Sequence, residues 1–254
     1  TEDMVKSDMN ISVEKGMKLI KLHSITKPPE SNRKQKNARK RKPVKPEYNK
    51  WVDDAYMMIG KAYLYQKDYF RAASTFTLII RKYKDEPVKY EAYIWLIRTY
   101  TESERYNEAR ELIESLEGND KFPQKLEGEL AINAAELHLK QQQYEEAVPY
   151  LNIGIKKIKG NKRKVRYTFI LAQLHQELGN KEKALQTYQQ VIRRRPDYKM
   201  RFNAQINSAS VYSGEGNVTE LRKELNKMRK KKRNAPFLDQ IYYALGNIIY
   251  NEGR

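Results

Sequence analysis

The stretch Lys50–Pro87, KWVDDAYMMIGKAYLYQKDYFRAASTFTLIIRKYKDEP, decides the fold. It reads as two amphipathic helices joined by a tight turn. Tyr56, Ile59, Gly60 and Tyr63 recur near the helical period in the first, and Ala72, Phe76 and Ile79 at four and three in the second, so the two apolar faces can meet. Gly60 and Ala72 are small where the helix axes would cross, which lets the backbones approach. Asp53 and Asp54 stand at the start of the first helix, where carboxylates cap free N–H groups and oppose the helix dipole.

This order of large, small and aromatic residues resembles the tetratricopeptide helix-turn-helix repeat, and it returns at a fixed period. Stepping on 37 residues gives Tyr93, Leu96, Tyr100, Tyr106, Ala109, Ile113 and Leu116. A further 38 gives Ala134, Ala135, His138, Tyr144, Ala147 and Leu151, and another 37 gives Leu171, Ala172, His175, Ala184, Tyr188 and Val191. The next 37 gives Ala209, Tyr212, Gly216, Leu221, Leu225 and Met228, and a last 37 lands on Tyr242, Leu245 and Gly246. The expected fold is all-α, a right-handed α-solenoid with repeats at 53–89, 90–127, 128–164, 165–201 and 202–238 and a first helix at 239–253. The period exceeds the usual ~34 residues, which predicts longer helices or longer connections between repeats.

Composition agrees with a repeat array over residues 51–254. Charged residues make up 32% and hydrophobic ones 39%, as suits helices with one wet face, and a solenoid needs no single large core. Nineteen Tyr against six Phe fits packing positions exposed at one edge. The chain has no Cys, which removes disulfides, thiol nucleophiles and thiolate metal sites. No apolar run has the length of a membrane span, and no signal peptide is visible.

Within residues 1–26, Val13, Met17 and Ile20 have the four-then-three spacing of a second repeat helix with no first helix before it, and Asp239–Gly253 reads as a first helix without its second. Both ends therefore read as cut from a longer array, with capping helices as the alternative. Between them, residues 27–50 form a Pro-rich basic insert. Arg33, Lys34, Lys36, Arg39, Lys40, Arg41 and Lys42 lie in it, and it reads either as a solvated loop or as a polyanion-binding arm. Further basic clusters fall at the ends of second helices, notably Arg193, Arg194 and Arg195, then Arg229, Lys230, Lys231, Lys232 and Arg233. One or two cations there would oppose the dipole; five in a row, with Lys162–Lys164 nearby, point to an acidic partner.

Catalytic constellations are hard to find. No phosphate-cradling glycine motif is present, so no nucleotide cofactor is implied. His138 and His175 replace tyrosines of other repeats, which makes them packed imidazoles rather than metal ligands. Carboxylate pairs such as Glu145–Glu146 lie on polar helix faces, and neither an enzyme nor a small-molecule substrate is implied. In tetratricopeptide arrays the residue one past the large aromatic of each first helix points into a concave groove. Here those residues are Met57, Ile94, Ile132, Phe169, Ile206 and Tyr243, an apolar spine that predicts docking of a partner peptide or helix, or else packing between repeats. Their neighbours Lys61, Arg98, Glu136, Gln173, Ser210 and Asn247 are mixed, and Met57 and Lys61 depart from the clamp that grips C-terminal carboxylates.

The run EYNKWVDDAYMMIGKAYLYQKDYFRAASTF, with KGMKLIKLHSI before it and ILAQLHQELGNKEKALQTYQQVI after, resembles the SprE/PorW-type tetratricopeptide lipoproteins of the type IX secretion and gliding-motility machinery. The resemblance implies a non-catalytic scaffold on the periplasmic face of the outer membrane, held by a lipid anchor outside this stretch and contacting protein components of the secretion machinery. The rival expectation is a basic nucleic-acid-binding repeat protein, motivated by the net charge of +18. Charge alone predicts only non-specific, salt-sensitive binding.

Overall fold

The computed structural model describes residues 2–27, 45–214 and 219–253. The insert cations Arg33, Lys34, Lys36, Arg39, Lys40, Arg41 and Lys42, together with Gly216, lie outside the described residues. The structure is all-α, with no strand among the described residues. Two compact units divide it, residues 1–133 and 134–254.

The first unit holds α1 (Glu2–His23), α2 (Val52–Tyr65), α3 (Tyr69–Lys82), α4 (Val88–Glu102), α5 (Tyr106–Glu117) and the first half of α6 (Glu127–Lys140). The second holds the rest of α6, then α7 (Tyr144–Lys157), α8 (Asn161–Glu177), α9 (Lys181–Arg193), α10 (Tyr198–Val211), α11 (Thr219–Arg229) and α12 (Leu238–Glu252). The extra length of the repeats goes partly into α8, at 17 residues, and partly into the connections 118–126 and 230–237, each of which contains a 3-10 turn.

In the first hairpin the small residues do what their size allows. A Cβ on Gly60 would come within 2.6 Å of Phe76 Cε1, so α2 and α3 cross at a distance that only glycine permits. Ala72, Phe76 and Ile79 are fully buried at that crossing. On α1 the inward residue is Gly16 rather than Met17. A Cβ there would lie 2.8 Å from Ile59 Cγ1, Val13 and Ile20 pack partly against the same cluster, and Met17 faces outward. Asp53 and Asp54 sit within the first turn of α2, and the N-cap is Trp51, whose side chain makes no capping bond. Genuine carboxylate caps occur on α3, where Asp68 accepts from Arg71 N at 3.0 Å, and on α10, where Asp197 accepts from Met200 N at 2.9 Å.

Four hairpin turns are built on the same backbone device. Lys67, Glu104, Gln142 and Gly179 hold positive φ values of 63°, 62°, 58° and 73° at the repeat interval. The following residue donates its N–H five residues back, to the carbonyls of Tyr63, Tyr100, His138 and His175 at 2.8–2.9 Å. These bonds satisfy carbonyls that a helix end leaves open.

The far end of the 27–50 insert belongs to the fold. Glu47 accepts from Ser24 Oγ at 2.5 Å, Ile25 N at 2.6 Å, and Tyr48 N and Asn49 N at 3.0 Å each, and Lys82 Nζ stands 3.9 Å away. Tyr48 N also donates to Ile25 O at 2.8 Å, and Asn49 Nδ2 to His23 O at 2.7 Å. The two ends of the insert are thus stitched together at the foot of α2. Burial opposes the charge on Glu47, but the hydrogen bonds from Ser24 and from the Asn49, Ile25 and Tyr48 amides outweigh it and hold the carboxyl below its ordinary value.

Two outcomes test this packing. Gly60→Ala should lower stability by about 1–3 kcal/mol, read as a lower denaturant midpoint, because Phe76 has no free space to yield. Glu47→Gln should cost about 2 kcal/mol near neutral pH. Because the folded pKa of Glu47 is depressed, its contribution is present above the ordinary value of 4.5 and lost as pH falls below it, so the gap to Glu47→Gln narrows in acid.

Candidate functional site

In the first unit the burial pattern of α2 separates two stripes one residue apart, about 100° round the helix. Met57 is inside at 4% exposure, whereas Trp51, Met58 and Tyr65 are outside and Lys61 is half-buried. Ile94 and Ile132 are inside as well. Half of the expected apolar spine is therefore core: these three residues pack between helices and offer no face to a partner. The apolar stripe is wide because a first helix is covered by its own second helix and by neighbouring repeats.

At the edge of its core the first unit carries an aromatic and cationic cluster centred on half-buried Trp95 of α4. Tyr65 meets the Trp95 ring edge-on at 6.5 Å between centroids, and Phe76 stacks on it from the core side at 6.4 Å. Lys61 Nζ lies 4.7 Å from the ring centroid, and the Arg98 guanidinium 5.6 Å. Trp95 is held by packing and flanked by two cations, while Tyr65 remains 53% exposed. Rigid aromatic rings with adaptable charges beside them suit capture of a peptide segment. Lys61 and Arg98 stand where the sequence placed groove neighbours; Met58, Tyr65 and Trp95 were missed. The signal that finds them is the repeat interval itself, since Met58 and Trp95 are 37 residues apart, one step off the chosen register.

In the second unit, Phe169 and Ile206 are half-buried. Phe169 sits edge-on to Tyr188 at 5.6 Å, and Tyr188 is fully buried, its hydroxyl donating to Gln176 Oε1 at 2.9 Å and accepting from Asn207 Nδ2 at 3.2 Å. Ile206 packs against the cluster around Phe202, Leu225 and Ile241. Tyr243 on α12 is 70% exposed, and Tyr242, Ile249 and Tyr250 lie outward on the same helix. The basic residues lie where the second helices end. Arg193 and Arg195 are exposed, Arg194 is half-buried, and Arg229, Lys230, Lys231, Lys232 and Arg233 are all exposed.

The two histidines serve the hairpin turns. Besides offering their carbonyls, His138 stacks on Tyr150 at 5.4 Å and shares a 2.8 Å hydrogen bond between Nδ1 and Gln143 Oε1. His175 is buried with Nδ1 unpartnered, and desolvation, followed by the charge of Lys183, pushes its pKa below 6.5. No group of metal-ligating side chains occurs among the described residues.

Comparison with known proteins agrees with this geometry. Residues 54–85 and, separately, 132–199 match models of the tetratricopeptide repeat. No curated protein matches the chain. Among solved structures, the crystal structure of MamA protein superposes with a TM-score of 0.52 at 21% identity, covering 74% of this chain and 96% of that one. The crystal structure of BtubC (BKLC) from P. vanneervenii superposes with a TM-score of 0.52 at 14% identity, covering 100% of this chain and 87% of that one. At these identities the likeness concerns the fold, an all-α solenoid of tetratricopeptide repeats.

A pH experiment tests the packed-histidine reading. The folded pKa of His175 lies below its unfolded value, so the unfolded chain binds the extra proton first and stability falls as pH drops through about 6.5. His175→Tyr, the residue at this place in other repeats, should flatten the melting temperature between about pH 7.5 and 5.5 relative to the wild type.

Proposed function

We propose, with tetratricopeptide repeats as scaffolds for protein–protein contact as the premise, that this chain works by docking partner segments rather than by catalysis. The observation that carries the reading is the Trp95 cluster: an exposed Tyr65 beside a fixed indole, with Lys61 and Arg98 over its ring. A partner helix or extended strand laid there would bury apolar side chains on Tyr65 and Trp95 and set carboxylates against the two cations. Phe169, Ile206 and Tyr243 are the remaining docking candidates, in the second unit.

The setting we propose is the type IX secretion and gliding-motility machinery, on the periplasmic face of the outer membrane. Its support is the resemblance carried by the run from Glu47 to Phe76 and by the blocks on either side of it. The partners are then protein components of that machinery, and the lipid anchor lies outside this stretch.

The test is capture of partners from the native envelope by tagged protein, read by mass spectrometry. Tyr65→Ala should lose the captured secretion components while shifting stability by no more than about 0.5–1 kcal/mol, since its side chain is largely at the surface, and Lys61→Glu, at a half-buried position over Trp95, should lose them at a cost of about 1–2 kcal/mol. Met57→Glu and Ile132→Glu should instead cost several kcal/mol, at least about 3, because a charge would be buried without a partner. Full-strength capture by a folded Tyr65→Ala, Lys61→Glu double variant would remove the Trp95 cluster from the mechanism. Capture of a set without secretion components would remove the proposed setting.

A further inference from the structure

We propose that the second unit carries a separate docking cleft for an acidic segment, rich in Asp or Glu, of a protein partner. The cleft has a volume of about 640 Å³ and lies between the start of α8 and the turn that joins α9 to α10. Lys162, Arg163, Arg166 and Arg195 converge on it from these two elements. Asn161 fixes their relation, its Nδ2 donating to the carbonyl of Arg194 at 3.2 Å.

The lining of this cleft carries more positive than negative charge. Asp197 is the sole carboxylate among the lining residues, and one of its oxygens already accepts from Met200 N. Among the described residues, no ion pair holds Lys162, Arg166 or Arg195. Like charges gathered round one cavity repel, and the repulsion is relieved when an anion enters. The local backbone adds to the field. α8 begins after Gly160, at φ 88°, with no side-chain cap, so the positive end of a 17-residue helix faces the same region as the cations. Arg195 itself is held at φ 52°, a left-handed conformation usual for glycine and uncommon for other residues.

Chemistry selects among polyanions. The guanidinium groups of Arg166 and Arg195 are planar forks that match carboxylates in pairs. Val165, Pro196 and Met200 give the wall apolar patches that suit the methylene stems of Glu side chains. No aromatic ring lines the cleft, and the ring of neighbouring Tyr198 is covered by the Arg233 guanidinium at 3.6 Å, so bases of a single-stranded nucleic acid find no stacking platform. A membrane presents a plane, whereas these cations converge on a concavity. Arg233 lies over Tyr198, which follows the lining residue Asp197, so one further cation stands next to the cleft wall.

The cleft belongs to the second unit and the Trp95 cluster to the first, so the two docking readings stand or fall separately. The probe is a fluorescent ten-residue oligoglutamate, titrated by anisotropy at two salt concentrations, with mixed-sequence single-stranded RNA and phosphatidylglycerol vesicles as parallel arms. Lys162→Glu with Arg166→Glu should weaken peptide binding at least about tenfold. Lys18→Glu with Lys21→Glu, which changes net charge equally on exposed α1 positions, should stay within about twofold, as screened distant charges do. Should the Glu variant lose its helical signal, Lys162→Gln with Arg166→Gln is read in its place, with the same direction expected. Equal losses in the cleft and α1 variants would overturn the proposal in favour of net charge alone. Binding of RNA or vesicles that depends on the cleft, without binding of the peptide, would overturn it in favour of a phosphate polyanion.

Discussion

Close approach of two helix axes is the constraint on which the rest of this chain depends. Ala72, Ala109, Ala147 and Ala184 occupy the same place in four second helices, and each is fully buried. The opposite place on the first helices is held by Gly60, Ala135, Ala172 and Ala209, with Ile97 as the one large residue. Where Gly60 stands, Phe76 fills the space a side chain would need, and Trp95 then stacks on the far side of Phe76. The half-buried Trp95 cluster of the first unit thus depends on that crossing distance. A second helix one methyl farther out would carry Phe76 away from Trp95 and loosen the ring that Lys61 and Arg98 cover.

Small residues alone would let the helices slide past one another, and the turns prevent it. A left-handed residue at four hairpins, followed by a donor to the carbonyl five residues back, sets the length of the first helix relative to its partner. Three of the four described turns place Lys, Glu or Gln in that conformation and one uses glycine, so the device is specified by the hydrogen bonds more than by the residue type. His138 and His175 are read in the same way. They hold the carbonyl that Tyr63 and Tyr100 hold elsewhere, and their rings fill the space under the turn.

The fold was legible in the sequence because a period of 37 repeats small and aromatic residues together, and chance seldom repeats both. The docking surface was less so. A stripe of apolar residues shows that a helix face is covered, but not by what, and Met57, Ile94 and Ile132 are covered by neighbouring helices of the same chain. Met58, exposed, and Trp95, half-buried, stand one residue on, and hydrophobicity alone cannot separate positions about 100° apart when both are apolar. The slip on α1 has the same origin: Met17 looks like core by type, yet Gly16 is what lets α1 lie against Ile59. Glu47 was hidden for a different reason. Its partners are mostly backbone amides, which no side-chain pattern records.

Some polar groups in this chain are buried where several partners converge, whereas His175 Nδ1 is buried without one. Glu47 meets four N–H or O–H donors, and the Tyr188 hydroxyl both donates and accepts, so each tolerates full burial. Tyrosine serves the opposite need on Tyr65, Tyr242, Tyr243 and Tyr250, whose rings cover helix surface while their hydroxyls stay wet. The cations obey the same economy only in part. At the end of α9, Arg193 answers the dipole; Arg195, two residues further and in a left-handed backbone, lies past the helix end. Its position makes sense in relation to Lys162 and Arg166 across the cleft, where a charge on the turn completes a ring of cations that the helix ends by themselves would leave open.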